Sequence, residues 1–101
     1  MSVLMEFNVF SIAGAVSKRK EVAKLLKSLK DKGIEFSLNP MGTIVECENM
    51  QKALEILNFA TQNVDAQRFY VIAKFDCYNQ RKDLLATRVE DTLREIENLD
   101  E

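Results

Sequence analysis

The sequence contains no histidine and no tryptophan, and only one proline, three glycines and two cysteines in 101 residues. Without histidine the commonest acid–base group of enzymes is missing, and no nucleophile is spaced against a base. The chain is therefore expected not to be an enzyme. Cys47 and Cys77 form neither a CxxC pair nor a Cys/His cluster, so there is no zinc or redox motif and no metal or cofactor is expected. Both cysteines fall on positions that strand parity assigns to the core, and a disulfide between them is left open. No basic segment precedes the apolar Met1 to Phe10, which itself contains Glu6 and Asn8. No apolar run approaches the roughly 18 residues of a membrane helix. With neither signal peptide nor membrane span, the expected location is cytoplasmic.

Basic charge is also in short supply. Fourteen Lys and Arg stand against 16 Asp and Glu, for a net charge of −2 and a pI near 5.2. Proteins that work by neutralising phosphates are usually basic, so no nucleic-acid partner is expected. The one basic cluster, Lys18-Arg19-Lys20, lies at a helix start and reads as a solvated face.

What remains is ordinary for a soluble globular chain, 47% apolar and 30% charged, and its length fits a single domain over residues 1–101. Val3 to Ile12 alternates as a strand with Val3, Met5, Phe7 and Val9 on one face. Ala13-Gly14-Ala15-Val16 reads as a flexible connection. Ser17 is placed to cap a helix running to about Lys32, with Val22, Leu25, Leu26 and Leu29 as its apolar stripe and Gly33 just past its end. Ile34 to Asn39 and Thr43 to Glu48 form a hairpin through Asn39-Pro40-Met41-Gly42. Proline there fixes φ, and glycine can take positive φ without steric cost. Asn49 caps a helix to about Val64, Phe69 to Cys77 is a fourth strand, and Asp83 opens a last helix.

The order β-α-β-β-α-β-α is that of a ferredoxin-like βαββαβ sandwich, an α+β fold with a four-stranded antiparallel sheet and an extra C-terminal helix. Two helices cover one sheet face. Parity places Glu6, Asn8, Phe10, Ser37, Asn39, Ile44, Glu46, Tyr70, Ile72, Lys74 and Asp76 on the other. That face is too apolar to stay in water, which predicts self-association through it, with the last helix covering a part. Its polar groups, Asn8, Asn39, Thr43, Glu46 and Lys74 among them, are either a ligand site or a structural ion-pair network around Lys74.

Asn39-Pro40-Met41-Gly42-Thr43-Ile44-Val45-Glu46 resembles the Pro-Met-Gly-Thr-x-x-Glu signature of the YkoF-like small thiamine-binding proteins. Val22-Ala23-Lys24-Leu25-Leu26-Lys27-Ser28-Leu29 is similar to their first-helix segment, and Lys74-Phe75-Asp76 to the start of their last-strand motif. The family continues with Asp-Arg-Arg-Asp, whereas here Cys77-Tyr78-Asn79-Gln80 precedes Arg81-Lys82-Asp83. The resemblance implies a homodimer or homotetramer assembled through sheets. It also implies non-catalytic binding of thiamine or its hydroxymethylpyrimidine portion at the sheet face or a subunit interface. Glu46 or Glu6 would then pair with the pyrimidine edge, and Asn8 or Asn39 would complete the hydrogen bonds. Phe10, Met41 or Tyr70 would pack on a ring, with Thr43 and Lys74 nearby.

Competing readings are a purely structural or protein-interaction module and an ACT-like small-molecule sensor. RNA binding would need a basic, aromatic sheet face. An acylphosphatase would need an arginine in the connection after the first strand, where there is none.

Overall fold

The computed structural model describes residues 1–12 and 17–100. The expected flexible connection, Ala13-Gly14-Ala15-Val16, lies outside the described residues. Seven elements follow in order: β1 (Ser2–Ser11), α1 (Lys18–Asp31), β2 (Ser37–Asn39), β3 (Gly42–Cys47), α2 (Met50–Gln62), β4 (Phe69–Tyr78) and α3 (Leu84–Leu99). The strands form one antiparallel sheet in the order β2-β3-β1-β4. This is the ferredoxin-like α+β fold with a C-terminal helix.

Local chemistry explains the helix boundaries. The Ser17 side chain accepts from the Lys20 N–H, and the Asn49 side chain accepts from the Lys52 N–H at 2.8 Å. Each satisfies one of the donors a helix start leaves free. At the end of α1, the Gly33 N–H donates to Lys30 O and the Ile34 N–H to Leu29 O, both at 3.0 Å. With Gly33 at φ +79°, this is a Schellman closure, and it needs a residue that tolerates the left-handed region.

Cross-strand rows follow from the register. Cys47, Val3 and Cys77 lie side by side on the helix-covered face, as do Val45, Met5 and Phe75, and then Thr43, Phe7 and Ala73. Val3, Met5, Phe7 and Val45 are buried there against Leu25, Leu26 and Leu29 of α1 and Ala53 and Ala60 of α2. The opposite face carries the rows Glu46, Leu4, Asp76 and Ile44, Glu6, Lys74, with Asn8 beside Ile72 and Phe10 beside Tyr70.

Three expectations need correction. Thr43 sits in a helix-side row and is 5% exposed, so it is not part of the open face. Cys77 is exposed, because β4 is an edge strand whose end lies outside the helices' cover, while Cys47 is buried; both are free thiols, so they form no disulfide. The hairpin turn uses no left-handed residue: neither Met41 nor Gly42 has positive φ. Pro40 and Met41 form a two-residue loop in which the Asn39 Oδ1 accepts from the Met41 N–H at 3.0 Å.

α3 packs on the open face only at its start. Leu84 is 1% exposed, but Val89, Leu93, Ile96 and Leu99 of the same helix are all more than half exposed. The molecule is accordingly elongated, 53 × 29 × 22 Å, with a radius of gyration of 15.7 Å. A compact chain of this length would have about 13 Å.

Because Gly33 is the helix-ending residue at positive φ and a Cβ there would meet nothing within 4 Å, backbone strain alone sets the effect of replacing it. Gly33→Ala is expected to lower unfolding free energy by about 1 kcal/mol in a urea titration, with the fold unchanged.

Candidate functional site

The sheet is longer than its hairpin. β1 and β4 are 10 residues each, β3 is 6 and β2 is 3. The paired register of β3 against β1 stops at Phe7 opposite Thr43, while β1 runs on to Ser11 paired with β4 alone. Beyond the hairpin tip, one edge of β1 thus has no neighbouring strand. The start of α1 lies over this gap. There the Lys18 ammonium donates to the Ser11 carbonyl and hydroxyl, and the Glu21 carboxylate accepts from the Ser11 N–H at 2.9 Å.

A cavity of about 470 Å³ opens in that gap, between α1 and the hairpin. Its walls are mainly apolar, with Phe7 and Val9 from β1, Val22 and Leu26 from α1, and Leu38 from β2. Thr43, from the helix-side row, and Asn8 and Asn39, at the sheet edge, are its polar lining residues, and Lys18 and Arg19 stand at its α1 side. A small number of amides and hydroxyls converging on an apolar slot is the usual make-up of a small-molecule site. The Asn39 amide has its oxygen held by the Met41 N–H, which leaves its NH₂ to donate outward.

Gly42 contributes by what it omits. A Cβ built on it would lie 3.2 Å from the Asn8 Nδ2 and 3.3 Å from both the Asn8 Oδ1 and the Glu6 Cγ. The Asn8 amide therefore rests against the bare backbone of the hairpin, and its position depends on a glycine there.

The other predicted site residues fall elsewhere. Phe10 and Tyr70 meet edge to face on the open side, with ring centroids 5.7 Å apart. The Arg68 guanidinium also lies over the Tyr70 ring, at 5.9 Å. Met41 is 79% exposed at the hairpin tip. Lys74 faces Glu6 in the register but makes no ion pair among the described residues, because Asp76 is paired instead with Arg88 of α3. The expected network around Lys74 does not form.

Glu46 is at the opposite end of the sheet, and its role is structural. Its carboxylate accepts from the Leu84 N–H at 2.7 Å, the Leu85 N–H at 3.2 Å and the Ser2 hydroxyl. It thus caps α3 in place of Asp83, whose own side chain makes no capping bond and whose backbone is left-handed at φ 57°. Burial tends to raise the Glu46 pKa. The Ser2 hydroxyl, the two N–H groups and Arg88 outweigh it and hold the carboxyl below its ordinary value of 4.5.

Sequence reasoning missed Lys18 and Arg19 as site residues. The signal was present as a basic cluster at a helix start. What placed it beside a cavity was the direction in which α1 crosses the sheet, which no local pattern records.

A sequence profile described as thiamine-binding protein matches residues 5–93. The chain belongs to this thiamine-binding protein family. Its fold is shared with a hypothetical protein of Methanocaldococcus jannascii, at 20% identity and TM-score 0.77, covering 90% of this chain and 95% of that one. It is shared also with a domain of unknown function from Bacillus cereus, at 15% identity and TM-score 0.65, over 85% and 86% of the two chains. A third neighbour is a candidate thiamine biosynthesis/salvage protein of Thermotoga maritima, at 15% identity and TM-score 0.63, over 89% and 99%. No curated protein matches the sequence. Among the described residues no helix is long and apolar enough to cross a membrane, and no acidic, cysteine or histidine group is arranged to hold a metal.

The Glu46 cap has a pH consequence. A carboxyl whose pKa is lowered on folding stabilises above its unfolded pKa, and that stabilisation is lost as pH falls through the folded value. Amide exchange at Leu84 and Leu85 should therefore stay protected near neutrality and lose protection on acidification below the ordinary carboxylate range. Glu46→Ala should remove the same protection at pH 7, at a cost of about 1 kcal/mol for the lost cap. Protection of these amides unchanged in the variant would contradict the assignment.

Proposed function

We propose that this protein binds thiamine, or its hydroxymethylpyrimidine portion, without catalysing a reaction on it, and that the ligand sits in the cavity between α1 and the β2–β3 hairpin. The observation that carries this reading is the coincidence of two facts at one place. The hairpin that resembles the family signature borders the 470 Å³ apolar slot, and Asn8, Asn39 and Thr43 are among the residues that line it. A pyrimidine with ring nitrogens and an exocyclic amine needs both donors and acceptors at its edge. Carboxamides and a hydroxyl offer both. The apolar walls take its faces. Family membership supports the ligand class.

The same geometry moves the ligand contacts away from the residues first expected to make them. Glu46 is engaged with α3, and Tyr70 lies edge to face with Phe10 on the open side, outside the cavity lining. No catalytic role falls to the cavity residues, since none is paired as nucleophile and base. A carrier or sensor remains.

We further propose that the chain works as a homo-oligomer. Ile72 and Tyr70 on the open face and Val89, Leu93 and Ile96 on α3 are about half exposed or more, and contiguous apolar surface of this kind usually marks an association site. An association that buries the open face and the projecting helix together removes that surface from water.

Isothermal titration tests the ligand. Thiamine or hydroxymethylpyrimidine should bind with a measurable heat, and no heat at millimolar ligand would reject the reading. Asn8→Ala should weaken binding roughly three- to tenfold, the worth of one neutral hydrogen bond. Gly42→Ala should weaken it similarly by displacing Asn8, while Glu46→Ala should leave affinity unchanged. Light scattering on the eluting protein tests the assembly: a mass of two or more chains is expected, and a monomer at micromolar concentration contradicts it.

A further inference from the structure

The charge of the cavity narrows the ligand within the class proposed above. The walls hold two cationic side chains, Lys18 and Arg19, and no carboxylate. The stretch 13–16 that follows β1 is Ala-Gly-Ala-Val and contributes no charge in any conformation. Nearby acids are otherwise occupied or face away. Glu21 accepts from the Ser11 N–H, and Glu6 lies on the open side of the sheet. Lys18 is held by Ser11, whereas Arg19 makes no ion pair among the described residues. The first turn of α1 adds potential of the same sign.

An apolar slot with two cations at one side and no anion is poorly matched to the thiazolium of free thiamine, which carries a positive charge. It is well matched to a flat heteroaromatic whose tail ends in a dianion. A phosphate ester presents about −1.5 to −2 charge near neutral pH and oxygens that accept from a guanidinium fork. Resting on the proposed site, we infer that the preferred ligand is phosphorylated: the phosphate ester of the hydroxymethylpyrimidine or of thiamine, with the ring among Phe7, Val22 and Leu38 and the phosphate on Arg19 and Lys18. Such a protein would stand between a reaction that phosphorylates the alcohol and one that consumes the ester.

The experiment is a titration series on the full chain with hydroxymethylpyrimidine, its phosphate, thiamine, thiamine monophosphate and inorganic phosphate, repeated with Arg19→Gln and with the control Lys20→Gln. Lys20→Gln removes the same charge from the same turn but from a residue outside the cavity. The esters are expected to bind at least tenfold tighter than the free alcohols. Arg19→Gln should cut that preference by roughly tenfold, as expected for one charge-assisted hydrogen bond, and leave the free alcohols within twofold. Lys20→Gln should change nothing beyond that range, and added salt should shrink the preference. Free alcohols binding as tightly as their esters would overturn this inference and leave the proposed function standing. Inorganic phosphate binding as tightly as the esters would also overturn it, since the apolar walls would then contribute nothing. No binding of any organic ligand would overturn both.

Discussion

The cavity exists because β3 stops before β1 does. Pro40 and Met41 turn the hairpin back where β1 has reached Phe7 and Asn8, so Val9 to Ser11 extend beyond any partner on that side. Every feature of the proposed site follows from this shortfall. It exposes an edge of β1 under α1 and leaves Asn39 and Thr43 at the border of the same gap. It also brings the Gly42 backbone against Asn8. A longer hairpin with the same sequence pattern would fill the space with a paired strand.

The two ends of the sheet have consequently been put to different uses. At the hairpin end the strands are uneven and leave room. At the other end β3, β1 and β4 run side by side, with Glu46, Leu4 and Asp76 in one row, and the two carboxylates of that row dock α3. Glu46 caps the helix and Asp76 pairs with Arg88, so two carboxylates that looked available for a cationic ligand are held by intramolecular donors. The family signature spans both ends. Pro40, Gly42 and Thr43 of it line the cavity, and its glutamate anchors a helix.

Much of the fold was legible because each element carries local instructions that agree with one another. Alternation in β1, the Ser17 and Asn49 caps, and Gly33 at a helix end each specify one boundary, and the structure places them within a few residues of expectation. The site was less legible, for identifiable reasons. Thr43 shares its parity with Val45 and Cys47, so alternation alone places it on the helix side; its hydroxyl suggests a site on the open face, and the alternation decides. Cys77 was expected to be buried because parity gives the face but not how far the helices reach along it. Glu46 was misread because its partners, the Leu84 and Leu85 amides, are backbone groups 38 and 39 residues away that no sequence pattern announces. Arg19 was passed over because a basic helix start looks the same whether it faces solvent or a cavity.

The proposed function places the ligand between α1 and the hairpin, and backbone amide chemical shifts report location directly. On titration with a ligand of the thiamine class, the amides of Arg19, Val22, Asn39, Met41, Gly42 and Thr43 are expected to move together, with those of Lys74, Leu84 and Leu85 nearly still. Movement centred on the open face around Tyr70 and Lys74, or at the start of α3, with the hairpin tip unaffected, would contradict the account.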